Sequence, residues 1–302
     1  MSKDKTQISN KSNGKILITG AKGMLGQELT RQFSKLPATG YKLILTDKDE
    51  LDITDKRAVS KFIGQAKPNF IIHAAAYVDV DQAEDNKALC RKVNAEGTGN
   101  IARAAKKIDA TLFYISTDYV FNGKKKKPYG ENDKTGPLGT YAKTKLEGEE
   151  LVSKHCRKHY IIRVAWLFGR AKGKTNFVEK MVKLSKKGPL KVINDQIGSP
   201  TSTESVAGVI KKIIILSPSA SRPPFGIYHF SGTGETTRYG FTKEIFRQAK
   251  LEADLKPVKS TAFFTKAERP AYSYLDKGKI EKALSVKVRP WQDMLADYLK
   301  IK

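Results

Sequence analysis

The sequence predicts an α/β protein, a doubly wound parallel sheet followed by a smaller C-terminal α/β lobe. Three observations predict it. Short apolar runs alternate with stretches of helical period across residues 15–164. The first of these runs leads directly into spaced glycines. After Val164 the alternation loosens into loop-rich segments. A chain of 302 residues, 39% hydrophobic, is long enough for one large domain with a lobe.

Lys15 to Thr19 reads as a buried strand, and residues 1–14 before it as a polar, disordered tail. Gly20, Gly23 and Gly26 follow, with Met24, Leu25, Leu29 and Phe33 at helical spacing. A strand, a glycine turn and a helix start form the context in which such glycines bind a dinucleotide. Gly20 allows the tight turn, Gly23 lets backbone approach a pyrophosphate, and Gly26 lets helix and strand pack closely. The spacing is G-x-x-G-x-x-G rather than G-x-G-x-x-G. Tyr41 to Thr46 is the second strand, and Asp47 at its end suits the ribose hydroxyls of an adenosine. That favours NADH slightly over NADPH, a preference that the adjacent Lys48 weakens. Asp55 or Thr54 caps a helix over 56–66, and Asp52 alternatively faces the adenine.

Asn69 to His73 is the third strand. Ala74, Ala75 and Ala76 after it leave room for a cofactor or pack tightly. His73 reads as a core residue. A long helix is expected from Ala88 to Lys107, with Asn94 as a hydrogen-bonding residue inside it. Leu112 to Ile115 is the next strand, and Tyr160 to Val164 another. In the second half, Asn176 opens a helix, Ser202 or Thr203 caps one to Leu216, and Ile227 to Phe230 reads as a strand. Helices follow over 237–249, 276–284 and 290–300. The domains are therefore 15–165 for the dinucleotide and 166–302 mainly for substrate, with 201–230 returning to the first domain.

Composition narrows the classes. The net charge is +25, from 56 Lys+Arg against 31 Asp+Glu, and it is spread over most helices. This describes a solvated surface, or a field that concentrates an anionic substrate. No recognition motif points to nucleic acid. Cys90 and Cys156 suggest no disulfide framework and fit a reducing cytoplasm. No apolar run approaches a membrane span.

The chemistry concentrates in Ser116-Thr117-Asp118-Tyr119-Val120-Phe121 and in Tyr141-Ala142-Lys143-Thr144-Lys145. The hydroxyls of Ser116 and Thr117 sit at the carboxyl end of a strand. Tyr141 and Lys145 are four apart, so a helix puts phenol and ammonium on one face. A cation beside a phenol lowers its pKa and fits it for proton transfer near neutrality. A nearby hydroxyl holds a carbonyl oxygen as its charge changes. This is the equipment for carbonyl/alcohol redox, given a hydride carrier.

Taken together, these runs resemble the extended short-chain dehydrogenases/reductases, and within them the dTDP-4-dehydrorhamnose reductase family. Beyond the Tyr/Lys pair and the glycine turn, the resemblance rests on His73–Ala76, Ser116–Phe121, Asn194–Thr203 and Arg269-Pro270-Ala271-Tyr272-Ser273. It covers essentially the whole chain after the tail. It implies a Rossmann-type first domain and NADH or NADPH bound by Gly20, Gly23, Met24, Leu25, Gly26, Asp47, Asp52, Ile53, Ala74, Ala75, Ala76, Tyr141 and Lys145. It also implies reduction of the C4 keto group of a dTDP-sugar to dTDP-L-rhamnose. Tyr141 would be the proton donor, Lys145 the ribose ligand and pKa partner, and Thr117 the substrate-oxygen ligand. Asp118 and Tyr119 would touch the sugar. Trp166 lines the sugar or nucleotide side, or is a core tryptophan. Asn176 would face the diphosphate, and Arg269 either does so or forms a structural ion pair. The family often has Asn where this chain has Tyr272. A homodimer is compatible with the resemblance; a need for Mg2+ does not follow from the residues. Two other readings stay open: a reductase or epimerase of another nucleotide sugar, and a non-catalytic subunit like methionine adenosyltransferase β.

Overall fold

A computed structural model of the chain describes residues 14–35, 40–217 and 221–300. The expected tail, Gly14 apart, lies outside the described residues. Gly14 itself opens the first strand and pairs with Tyr41. The main sheet contains β1 (Gly14–Thr19), β2 (Tyr41–Thr46), β3 (Phe70–His73), β4 (Thr111–Thr117) and β5 (His159–Val164). The second half of the chain adds short strands. These are β6 (Leu167–Phe168), β7 (Leu190–Ile193), β8 (Ile197–Gly198), β9 (Thr201–Ser202), β10 (Gly226–Phe230), β11 (Thr236–Thr237) and β12 (Leu255–Val258). Only β10 of these joins the main sheet, whose order is β10-β5-β4-β3-β1-β2 with every pairing parallel. The strand order turns at β1, between β2 and β3. A doubly wound sheet binds ligands at the carboxyl ends of its strands beside such a point. Gly20, Asp47 and Ala74 follow strand ends on that side, Thr117 is the last residue of β4, and Trp166 lies two residues beyond β5.

Crossover helices cover both faces: α1 (Met24–Ser34), α2 (Lys56–Ala66), α3 (Gln82–Asp85), α4 (Lys87–Arg91), α5 (Thr98–Lys107) and α6 (Thr140–His155). The remainder are α7 (Phe177–Leu184), α8 (Thr203–Leu216), α9 (Arg238–Ala249), α10 (Gly278–Leu284) and α11 (Trp291–Lys300). Helix α8 lies against α1, so it covers the same face of the sheet. Alternation within each strand builds two cores. Ile16, Ile18, Ile72, Phe113 and Ile162 face one, while Leu17, Ile71, Leu112, Tyr114 and Ile161 face the other.

Most elements form where the periodicity places them. Asp55 caps α2 by accepting from the Arg57 and Ala58 amides, and Ser202 caps α8 through the Ser205 amide. The helix expected over 88–107 is divided. Lys92–Gly97 is a π-helical stretch between α4 and α5, and Asn94 sits inside it, fully buried. Its side chain leaves the helix to bond the Tyr77 backbone, accepting from N at 2.8 Å and donating to O at 3.1 Å. Strand β4 runs to Thr117, two residues beyond the expected end. Within the loop-rich second half, β8 pairs antiparallel with β11.

Close approach rests on a few glycines. A Cβ on Gly26 would lie 2.1 Å from the Gly20 carbonyl oxygen. Gly26→Ala is therefore expected to cost about 1–3 kcal/mol, measured as a lower denaturant midpoint at constant slope. An unchanged midpoint would show that α1 has room to move off the turn.

Candidate active site

The site begins at the turn after β1. Gly20 has φ +70°, and a Cβ there would meet the Ala75 backbone at 2.7 Å. No side chain caps α1, whose N-cap is Gly23, so its first amides face the crevice. That uncapped terminus beside small residues fits a pyrophosphate. Met24 is half-buried, whereas the Leu25 side chain is in the core. Leu25 can therefore serve a ligand only through its backbone.

Asp47 sits beside this turn. Its Oδ2 accepts from the Lys22 amide at 3.0 Å and its Oδ1 from the Lys48 amide at 2.9 Å. Asp52 is exposed and accepts from the Thr54 amide and hydroxyl, which leaves the capping of α2 to Asp55. Ile53 is buried in the core. Ala74, Ala75 and Ala76 are half-buried at the end of β3. His73 is fully buried between Thr19 Oγ1 at 2.7 Å and Thr98 Oγ1 at 3.0 Å. Burial, with Lys145 nearby, pulls its imidazole down to about 3, so it is a neutral structural residue.

Across the crevice, β4 delivers Thr117 and Asp118, and α6 delivers Tyr141 and Lys145. Thr117 Oγ1 accepts from the Tyr119 amide at 3.2 Å. The Tyr119 ring stands edge-on to that of Tyr141, with centroids 6.3 Å apart. Burial pushes the Tyr141 phenol up, and its interaction with Thr117 pulls the other way. Burial pulls the Lys145 ammonium down to about 7, against the pull of Glu149. Lys145 Nζ donates to the Ile115 carbonyl at 2.7 Å and lies 4.0 Å over the Tyr114 ring.

The expected cation–phenol coupling is therefore not what sets the Tyr141 phenol. The two residues share a helix face, but the long Lys145 side chain is drawn to the end of β4, and burial dominates.

Asp118 is buried, and its Oδ2 has no hydrogen-bond partner. Burial pushes its carboxyl up to about 6, against interactions with Ser273, Arg238 and Thr117. Three expected ligands turn out to be engaged elsewhere. Asn176 caps α7 through Oδ1, and its Nδ2 donates to Gly169 O and Tyr298 Oη. These contacts give Asn176 a structural role as the cap of α7. Arg269 pairs with Asp81 at 2.6 Å and also donates to Ala267 O, which selects the ion-pair reading. Trp166 adopts φ +43° and packs against Gly198, with the Arg238 guanidinium 3.6 Å from its ring.

Arg238 escaped sequence reasoning. No carboxylate ion-pairs with it among the described residues, and it faces Asp118 and Tyr119. A signal was present: Arg238 is the first residue of α9, where the helix dipole disfavours a cation. Tyr272, the departure from the family pattern, donates to Glu235 Oε2 at 2.9 Å and tilts against Tyr129. Cys90 and Cys156 are free and buried. Among the described residues no group of three or more His, Cys, Asp or Glu is placed to hold a metal. Among the same residues no helix is long and apolar enough to cross a membrane.

The sheet, the glycine turn and the Thr/Tyr/Lys constellation define an NAD(P)H-dependent oxidoreductase of the short-chain dehydrogenase/reductase class. The profile of the RmlD substrate binding domain matches residues 14–302. The spore coat polysaccharide biosynthesis protein SpsK of Bacillus subtilis is 39% identical over 95% of this chain and 97% of its own length. A dTDP-4-dehydrorhamnose reductase of Aggregatibacter actinomycetemcomitans is 38% identical over 93% and 97%. The crystal structure of dTDP-4-dehydrorhamnose reductase from Bacillus anthracis in complex with NADP superposes with TM-score 0.88, at 35% identity, over 96% of this chain and 99% of that one. The chain belongs to the dTDP-4-dehydrorhamnose reductase family.

Asp118 yields a prediction that does not depend on the ligand. Its carboxyl is raised on folding, so the cost of burying the charge is absent below about pH 4 and fully present above about pH 6. Asp118→Asn is therefore expected to be more stable than the parent at pH 7.5, by on the order of 1–3 kcal/mol, with the gap closing toward pH 4. A constant gap across that range would contradict the assignment.

Proposed function

We propose that this chain reduces the C4 keto group of dTDP-6-deoxy-L-lyxo-4-hexulose to give dTDP-L-rhamnose. The observation that carries this reading is the convergence of Thr117, Tyr141 and Lys145 at the carboxyl end of β4, opposite the uncapped start of α1. Relatives bearing the reductase's name, alignable over nearly their whole length, support the substrate class. Bound across the glycine turn, a reduced nicotinamide dinucleotide supplies the hydride.

The chain's own residues do the rest. The Thr117 hydroxyl holds the ketone oxygen. The Tyr141 phenol gives its proton to that oxygen as the carbon–oxygen double bond becomes a carbon–hydrogen bond and an alcohol. A phenol pushed up by burial is a reluctant anion, so this step needs a positive charge nearby. Lys145, one helical turn from Tyr141, supplies it while protonated, and in this reading its ammonium also takes the nicotinamide ribose. Asp118, with its free carboxylate oxygen, accepts from sugar hydroxyls together with Tyr119. Arg238, backed by Trp166, supplies positive charge to the substrate's diphosphate. Met24 and Leu25 contribute amides to the pyrophosphate. Asp47 reads the adenosine ribose while Lys22 and Lys48 flank it, an arrangement compatible with NADH and with NADPH.

Tyr141→Phe is expected to lower turnover at least about 1,000-fold while leaving cofactor affinity, measured by fluorescence titration, within a factor of about three. Retained turnover would remove Tyr141 as the acid. Asp47→Ala is expected to raise NADPH use relative to NADH. An unchanged ratio of kcat/KM values would remove Asp47 as the ribose reader.

A further inference from the structure

Behind the candidate site lies a buried ionic network that none of the roles above uses. Glu149, on α6 one turn after Lys145, is 3% exposed. Its Oε1 accepts from Ser116 Oγ at 2.5 Å. Arg163, on β5 and 2% exposed, grips the same carboxylate, Nη2 meeting Oε2 at 2.7 Å and Nε meeting Oε1 at 3.0 Å. Arg163 Nη1 lies 3.4 Å from His229 Nε2, and His229 Nδ1 donates to Tyr129 O at 3.0 Å. Burial beside Arg163 pulls His229 down to about 3, so that ring is neutral and accepts from the guanidinium. The Phe121 ring covers Arg163 at 5.2 Å.

The network touches the candidate site at adjacent residues of β4. Lys145 Nζ holds Ile115 O, and Glu149 holds Ser116 Oγ. Thr117 is the next residue. We propose that Glu149 is a positioning residue for Lys145, a fixed negative charge one helical turn away that keeps the ammonium protonated and directed along β4. The inference rests on the reading of Lys145 given above.

Among the described residues, Lys145 meets neutral groups on its other sides. From β4 it meets the neutral Tyr114 ring, and from β3 the neutral His73. From α4 it meets Cys90, whose thiol burial pushes up, and which contacts Thr144 at 3.2 Å. Glu149 and Cys90 favour the protonated ammonium. Of these, Glu149 carries the charge, since it is paired with Arg163. Arg163 in turn makes a buried carboxylate tolerable, because an unpaired one would be costly.

The test follows the titration of Lys145 directly, in protein labelled with 13C at lysine Cε, with the resonance assigned by its loss in Lys145→Met. In Glu149→Gln the midpoint is expected to fall by about one pH unit or more. The alkaline limb of kcat/KM for the nucleotide-sugar ketone should move by the same amount, a change that a merely structural role would not produce. Glu149→Gln/Arg163→Met replaces the pair with neutral groups and serves should the single variant misfold. Because it also removes a positive charge, its midpoint should still fall, by less, Glu149 being the nearer charge to Lys145, and no fall in it overturns the proposal. Glu149→Asp should restore part of the shift. A midpoint that stays put in a folded variant overturns the proposal. A midpoint that moves in a protein with no ketone turnover leaves Glu149 in place and overturns the reduction reading instead.

Discussion

The docking of α6 on β4 is the contact on which the rest of the site depends. It is unusually close because Gly148 faces the strand. A Cβ there would lie 2.5 Å from Tyr114 Oη and 2.6 Å from Asn94 O. Tyr114 Oη reaches the Lys145 carbonyl at 3.3 Å, and Lys145 and Glu149 bond to successive residues of the strand. Asn94 links the same helix, through Thr144 at 3.2 Å, to the loop at Tyr77. Its departure from α-helical geometry frees that side chain for the purpose, as π-helical turns at functional sites do. Tyr141, one turn before Lys145 on the same helix, is thereby held where its phenol meets the Thr117 side chain.

This tight docking also sets the electrostatics. Three groups of one small region are displaced by burial, with Asp118 and Tyr141 moved up and Lys145 moved down. Each neutral form is favoured, which is costly for folding and typical of a reactive centre. The ion pair of Arg163 and Glu149 lies just behind, both side chains 3% exposed. Such a pair adds little to stability by itself. Its value lies in carrying fixed charge to the back of the site and in linking β4, β5 and β10.

Much of this was legible in the sequence, and for physical reasons. The glycine turn, β2, α2 and the Tyr/Lys pair are local: period, capping residue and spacing specify them. What escaped depends on tertiary placement. The four-residue spacing of Tyr141 and Lys145 places both on one face but says nothing of where a flexible ammonium points, which is toward Ile115. Asn176 was implied at the diphosphate by the resemblance, and its position just before a helix makes it a cap. Arg238 lies more than seventy residues along the chain from Trp166 and meets it only because β8 and β11 pair. Glu149 and Arg163 carry no distinguishing signal in the sequence, and only the fold shows them buried together.

The most direct measurement is oxidation of NADH and NADPH in the presence of dTDP-6-deoxy-L-lyxo-4-hexulose, generated in situ, with the product identified by NMR. Rapid oxidation with stoichiometric dTDP-L-rhamnose is the expected result. Absence of oxidation by a protein that demonstrably binds the cofactor would contradict the assigned reaction, and would place this site on another nucleotide sugar or outside catalysis.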